Sequence, residues 1–343
     1  MSQTPRRKYK PITILDVARE SGVSYATVSR VLSGFEFVKD TTRTRVVEAA
    51  ERLGYVANAQ ARTLAGGRSQ VIGVLVPGLD NGYIGEIIRG VDEELARVNY
   101  DLMLYTTHRH RGREAHYVNL IANGFTEGLI LVVPLISKTY LVALRERSFP
   151  YVLIDQGEFT GASSVVDSTN WQGAYDATRY LIDQGHRRIG FIAGVMELGS
   201  AAERFNGYRA ALSDFQIPFE PTLVCEGDFS QYGGREATRK LMPAKPTAIF
   251  ASNDLMALGA MEFLRDSGLR IPEDMSLVGF DDIPQMSIAH PKITTVHQPL
   301  DEMARTAVKL LLERLENPDS PAQRVTLETH LVIRDSSGPA PRV

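Results

Sequence analysis

Sulfur chemistry is almost missing from this chain. One cysteine, Cys225, stands among 343 residues, so no disulfide framework can form within it and a reducing compartment is the expected setting. Long apolar runs are missing as well. None approaches the roughly 18 residues of a membrane helix. The opening stretch "MSQTPRRKYKPIT" is basic, but no apolar core follows it, so a cytoplasmic protein is expected rather than a secreted one. Neither a G-x-G-x-x-G loop nor a G-x-x-x-x-G-K-[ST] loop occurs, which removes the common phosphate cradles. No His/Cys cluster has structural-zinc spacing, and "THRHRGR" (107–113) reads as a charged loop or helix start. No metal and no cofactor are expected. Cys225 lies in an apolar run and reads as inert core.

What is present is an uneven charge. Residues 1–70 hold twelve Lys or Arg and six Asp or Glu, a net of +6. The whole chain carries −3, so the remainder carries −9. A basic head on an acidic body suits a polyanionic partner for the head. Composition is otherwise ordinary for a globular protein, at 43% hydrophobic and 23% charged. The length allows two or three domains.

The head reads as three helices. Thr13 and Asp16 form a T-x-x-D start, with Ile14, Val17 and Ala18 as the apolar face. Gly22 permits a sharp turn, and Ser24 is a good N-cap for a second helix. Val28, Val31 and Leu32 then point inward, and Ala26, Thr27, Ser29 and Arg30 face out. A third helix is expected from Asp40 to Leu53, with Val46, Val47, Ala50 and Leu53 inward and Asp40 taking the cap in place of Lys39. Two short helices joined by a glycine turn form a helix-turn-helix, whose second helix enters the DNA major groove. Tyr25 can stack or hydrogen-bond there, Ala26 offers a methyl group to thymine, and Arg30 can fork onto guanine. Ser24, Thr27 and Ser29 suit phosphates. The alternative is a generic helical hairpin. The segment "NAQARTLAGGRS" (58–69) is too short to be a stable helix alone. It is a linker, or a hinge that folds on DNA with Leu64 as an apolar wedge.

From residue 70 the pattern changes to alternating strands and helices. Strand-like runs lie at 71–77, 100–107, 128–133, 151–155, 188–194, 222–227, 248–254 and 275–282. Helical runs lie at 83–98, 171–184, 202–215, 232–241, 255–267 and 300–315. This alternation implies parallel sheets with helices on both faces, in two lobes. Asp155, Asn253 with Asp254, and Asp281 with Asp282 end strands, which is where open α/β sheets bind ligands. Carboxylates and an arginine each engage two adjacent hydroxyls, which suits a sugar. For Asp155, Asn253 and Asp281 the alternative is plain helix capping, and for Arg204 a surface position.

The stretch 13–69, with its "DVA…GVS…TVSRVL" and "LAGGRS" motifs, resembles the DNA-binding head and hinge of the lactose repressor (LacI/GalR) family. The likeness continues to about residue 336 through "ERFNGYRAAL", "FASNDLMALGA", "IPEDMSLVGFDDIP" and "ITTVHQP". It implies a small all-α helix-turn-helix head and an α/β two-lobed, periplasmic-binding-protein-like body. It implies that Tyr25, Ala26 and Arg30 read the major groove and that Leu64 is the minor-groove wedge, with Arg62 a further DNA contact. It implies that Arg204 and Asp281 are the main effector pair, joined by Asp155, Asn253, Ser200, Phe229, Tyr83 and Asn81. Leu198 and Val132 depart from the purine-type and lactose-type pockets. Phe35 and Phe37 are unusual for the head. The expected organisation is a head over 1–57, a hinge over 58–69, a body over 70–336 and a disordered tail over 337–343. Lobe 1 is expected to take 70–168 and 299–325, and lobe 2 to take 169–298 and 326–336. The expected protein is a dimeric, sugar-responsive repressor on palindromic operator DNA. No leucine-rich C-terminal helix of the tetramer-forming kind is read. A sugar-transport protein and an α/β enzyme are the rival readings.

Overall fold

The computed structural model describes residues 12–32, 35, 37–55, 69–79, 82–107, 126–134, 138–155 and 163–341. The chain forms two compact units, Met1–Ser69 and Gln70–Val343. Arg62, Leu64 and Asn81, and with them the expected hinge, lie outside the described residues.

The first unit holds α1 (Ile14–Ser21), α2 (Tyr25–Leu32) and α3 (Asp40–Leu53). The Asp16 carboxylate accepts from the Thr13 backbone N–H at 2.9 Å and from its hydroxyl at 2.7 Å, which anchors the start of α1. Gly22 follows with φ 65°, a left-handed conformation that costs glycine little. Val17, Val28, Val31, Val46, Ala49 and Ala50 make the core. Helix α3 departs from expectation in two ways. Val47 is exposed and Ala49 takes its place inside. Lys39 holds the N-cap position without a side-chain cap, so Asp40 is the first helical residue and acts on the helix dipole instead.

In the second unit, lobe 1 contains β1 (Val71–Val76), α4 (Gly82–Arg97), β2 (Asp101–Thr106), β3 (Gly128–Val132), α5 (Lys138–Glu146), β4 (Tyr151–Ile154) and β5 (Ser164–Ser168). Lobe 2 contains α6 (Asn170–Asp183), β6 (Ile189–Ala193), α7 (Gly199–Asp214), β7 (Val224–Glu226), α8 (Gln231–Leu241), β8 (Ala248–Ala251), α9 (Asp254–Asp266), β9 (Ser276–Asp281), α10 (Gln285–Ile288) and β10 (Thr294–His297). The chain then returns to lobe 1 for α11 (Leu300–Glu316) and β11 (Arg324–Leu327), and ends in lobe 2 with β12 (His330–Val332). The sheets run β11-β5-β4-β3-β1-β2 and β12-β10-β9-β8-β6-β7, parallel except for β12 on β10. Strands β1, β3 and β9 are buried along their whole length, as central parallel strands must be when helices cover both faces.

Three segments cross between the lobes: Ser168 to Asn170, His297 to Leu300, and Leu327 to His330. They are stitched together. The Ser168 hydroxyl donates to Gln298 Oε1 at 2.5 Å, and the Thr329 backbone N–H donates to Thr169 Oγ1 at 2.8 Å. The lobes also share one buried apolar cluster, with Ile84 and Val133 from lobe 1 and Leu198, Ile283 and Met286 from lobe 2.

Strands β5, β10, β11 and β12 and helices α5 and α10 are absent from the sequence reading. Strand β11 pairs with β5 through Leu327, so the last return to lobe 2 falls after Leu327 rather than after residue 325. The expected disordered tail is instead held on lobe 2 through residue 340. Gly338 N–H donates to Ser276 Oγ at 3.1 Å and Ala340 N–H to Gln184 O at 2.9 Å. Buried His186 shares Ser276 and the Gly338 carbonyl, and burial lowers its pKa.

Candidate functional site

The C-terminal ends of the strands in both lobes open on one cleft. Tyr83, Val133, Asp155, Ser200, Arg204, Phe229, Asn253 and Asp281 line it. Seven of these were picked from the sequence, from six different elements or loops. The free space between them is ≈ 30 Å³, room for a few waters, whereas small-molecule pockets run to about 300–1,000 Å³. A ligand the size of a sugar therefore needs the lobes to part. A larger hollow of ≈ 430 Å³ lies at the opposite ends of β4 and β5. None of its charged lining residues, Arg145, Arg314 and Asp319, is buried, so volume alone does not mark the site.

Strain collects where the strands end. Val133, Asp155, Phe229 and Asp281 have φ of 46°, 58°, 65° and 118°. Asp tolerates the left-handed region, but a β-branched valine there is an outlier that the surrounding structure must hold in place. The twist turns the Val133 side chain into the cleft. Val132, read as the pocket residue, is buried within β3 instead.

Arg204 sits at the centre. Its guanidinium lies 3.8 Å from the centroid of the Phe280 ring, a close cation–π contact. Nε donates to Asn170 Oδ1 at 2.8 Å and Nη1 to the Ser252 carbonyl at 2.7 Å. Asp281 is 3.5 Å from Nη1 and Asp155 is 4.0 Å from Nη2. All three charged groups are buried, so the surface position considered for Arg204 is not what the structure has. Asp281 does not cap α10, where Pro284 holds that place; its Oδ1 accepts from Gln298 Nε2 at 2.7 Å. Asn253 does cap α9, accepting from Met256 N–H at 3.0 Å, while its amide donates to the Phe229 carbonyl at 3.2 Å. Capping and cleft lining are both true of it.

Burial pushes the Asp281 carboxyl up to about 7 against the pull of Arg204. Beneath it, Asp254 is driven well upward by burial and then by the Asp281 charge. Asp254 accepts from Thr295 Oγ1 at 2.6 Å and from Ile283 N–H at 2.9 Å. Burial, with Asp155 and Asp281, also raises the Tyr83 phenol, which stays neutral. Half-buried Glu203 is raised by burial and then by Asp155.

The sequence reading missed the groups that hold this set in place. Asn170, Ser168 and Gln298 come from the crossings, and Ser252 and Phe280 from strand ends. The quoted motifs contain Ser252, Phe280 and Gln298 without giving them a role, and Ser168 and Asn170 lie outside them. Cys225 sits half-buried on edge strand β7, not in the core, and burial raises its thiol pKa.

In the first unit, Ser24, Tyr25, Ala26 and Arg30 are exposed on α2, with Thr27 and Ser29 half-buried beside them. The Ser24 and Thr27 hydroxyls lie 2.9 Å apart, and Thr27 N–H donates to Ser24 Oγ at 3.2 Å, so these two start the helix. Among the described residues no helix is long and apolar enough to cross a membrane, and no group of three metal-binding side chains converges.

Comparison with known proteins gives concordant results. Residues 13–58 match bacterial regulatory proteins of the lacI family, and residues 178–337 match a periplasmic binding protein-like domain. Catabolite control protein A of Priestia megaterium is 34% identical over 329 residues, covering 95% of this chain and 99% of that protein. A complex of the transcriptional regulator CelR with cellobiose shares 34% identity and a TM-score of 0.74, covering 95% of this chain and 99% of its own. The lac repressor dimer bound to operator and the anti-inducer ONPF shares 30% identity and a TM-score of 0.82, covering 96% of this chain and all of its own, 100%.

Proposed function

Because this chain belongs to the lacI family of bacterial regulatory proteins, we propose that it is a homodimeric cytoplasmic repressor of carbohydrate-utilisation genes, released from a palindromic operator by a small sugar. It is a DNA-binding transcriptional regulator and not an enzyme, as its relatives are. The observation that carries the sugar reading is the buried trio of Arg204, Asp155 and Asp281 beside the Phe229 ring. A guanidinium and two carboxylates present donors and acceptors to vicinal hydroxyls, in a site where each charge-assisted bond is strong. Phe229 offers an apolar wall to a sugar's C–H face. The relatives solved with cellobiose and with ribose support the same class of ligand.

Arg204 is held by Phe280, Asn170 and Ser252, so it meets the ligand already oriented. A sugar inserted between Asp155 of lobe 1 and Arg204 and Asp281 of lobe 2 changes how far the lobes close. The three stitched crossings carry that change. Two heads acting together require a two-fold operator, since protein symmetry sets half-site symmetry.

The deciding experiment is thermal-shift screening of the full chain against mono- and oligosaccharides, cellobiose and ribose included, followed by operator release with each hit. The expected result is a sugar that raises the melting temperature and lowers DNA affinity, and that does neither in Asp281→Ala. Stabilisation by purines and by no sugar would overturn the reading.

A further inference from the structure

Two aromatic side chains of the first unit have no place in the account so far. Phe37 is 87% exposed and Phe35 49%. Their rings meet edge to face, 5.9 Å between centroids at 63°. Val38, next along, packs on the head core, which leaves Phe37 pointing away from it. The pair borders the helix that presents Arg30. The Arg30 guanidinium carbon lies 5.9 Å from the Phe35 centroid, at the outer reach of a cation–π contact. Phe35 is itself tied down: its N–H donates to the Arg30 carbonyl at 3.0 Å, and its carbonyl accepts from Arg43 Nη2 at 2.7 Å.

We propose that Phe35, backed by Phe37, is a positioning residue for sequence readout: its ring holds the Arg30 guanidinium ready for a base edge, and operator DNA covers the aromatic pair when the head docks. An arginine on an open helix loses rotamer freedom when it forks onto a base. A ring that already restricts it reduces that loss. The ring stays unhidden because the partner is a duplex: residues 1–70 carry +6, and apolar faces beside a basic site suit the sugar edges flanking the phosphates. Clustered exposed aromatics call for such a partner, whereas one scattered side chain does not. The inference rests on the reading of Arg30 as a base contact.

The test uses the full chain and a duplex that the wild-type protein selects from a randomised pool. Affinity is measured for that duplex, for each single-base variant and for a scrambled duplex, in Phe35→Ala, Phe35→Tyr, Arg30→Ala and the double variant. Phe35→Ala is expected to lose about two- to fivefold in preference at the base position where Arg30→Ala acts, as the loss of an exposed cation–π contact implies. Its loss on scrambled DNA should be smaller than on the selected duplex, and it should add nothing to the loss of base preference in the Arg30→Ala background. Phe35→Tyr, which keeps the ring, should keep the preference. Equal loss on selected and scrambled DNA, the same loss without Arg30, or no loss at all would overturn the positioning role. If Arg30→Ala itself leaves every base preference intact, it is the base-contact reading that fails.

Discussion

Asp281, an effector contact on the proposed reading, carries a cost in stability. Its carboxyl is raised from 3.8 to about 7 in the folded chain. Between those values the unfolded chain gives up the proton and the folded chain keeps it. The stability this group contributes is therefore full below the unfolded value and is lost as pH rises towards 7. Asp281→Asn keeps the oxygen that accepts from Gln298 and removes the ionisation. It should melt higher than wild type at pH 8, with the gap closing towards pH 5. Scanning calorimetry at the two values checks this; an equal or reversed gap counts against it. The same variant should respond poorly to sugar, since an amide oxygen is a weaker acceptor than a carboxylate. Active positions commonly trade stability in this way.

At the scale of elements, α6 and α7 pack through Gly207. A Cβ there would sit 2.2 Å from the Trp171 carbonyl and 2.9 Å from the Tyr175 nitrogen. Gly207→Ala must push the helices apart, and overpacking of this kind costs about 1–3 kcal/mol. Trp171 follows Asn170, the partner of Arg204, and is the only tryptophan of the chain. Its ring stacks on Tyr175 at 5.2 Å. The variant should unfold at lower denaturant with a shifted emission spectrum, and unchanged emission with unchanged stability would refute this packing. Elements also set what the sequence discloses. Strands β1 and β3 are unbroken apolar runs and β9 holds one over Leu277–Phe280, so all three could be read directly. Strand β11, "RVTL", alternates exposed and half-buried residues, and β12 has three residues. Strand β10 opens on two threonines, which are buried because Ser337 and Asp254 accept or share their hydroxyls. Such strands are defined by partners far along the chain. The same holds within the site. Polar residues at strand ends were legible one by one, whereas the Ser168–Gln298 bond joins positions 130 apart and leaves no local trace.

For the whole molecule, charge segregation governs DNA binding. The +6 of residues 1–70 must displace counterions, and each phosphate neutralised adds about −0.9 to the slope of log affinity against log salt. Two heads with about three phosphates each would give a slope of about −5. Fluorescence anisotropy on an operator duplex between about 50 and 200 mM salt measures it, and a slope near zero would exclude the head as the binding surface. On the proposed reading the sugar and the DNA are linked through one protein, so the factor by which sugar weakens DNA binding must equal the factor by which DNA weakens sugar binding.

The three crossings have a consequence for synthesis. A ribosome releases the chain from its N-terminus, and domains fold as their residues emerge. The strands β1 to β5 of lobe 1 emerge early, but α11, which covers that sheet, and β11, which closes its edge, lie at 300–316 and 324–327. Lobe 2 has five of its six strands before either appears. A chain halted before residue 300 thus has α4 and α5 on the lobe 1 sheet but lacks the helix that completes the cover of one face and the strand that closes its edge, which leaves apolar side chains there open to aggregation.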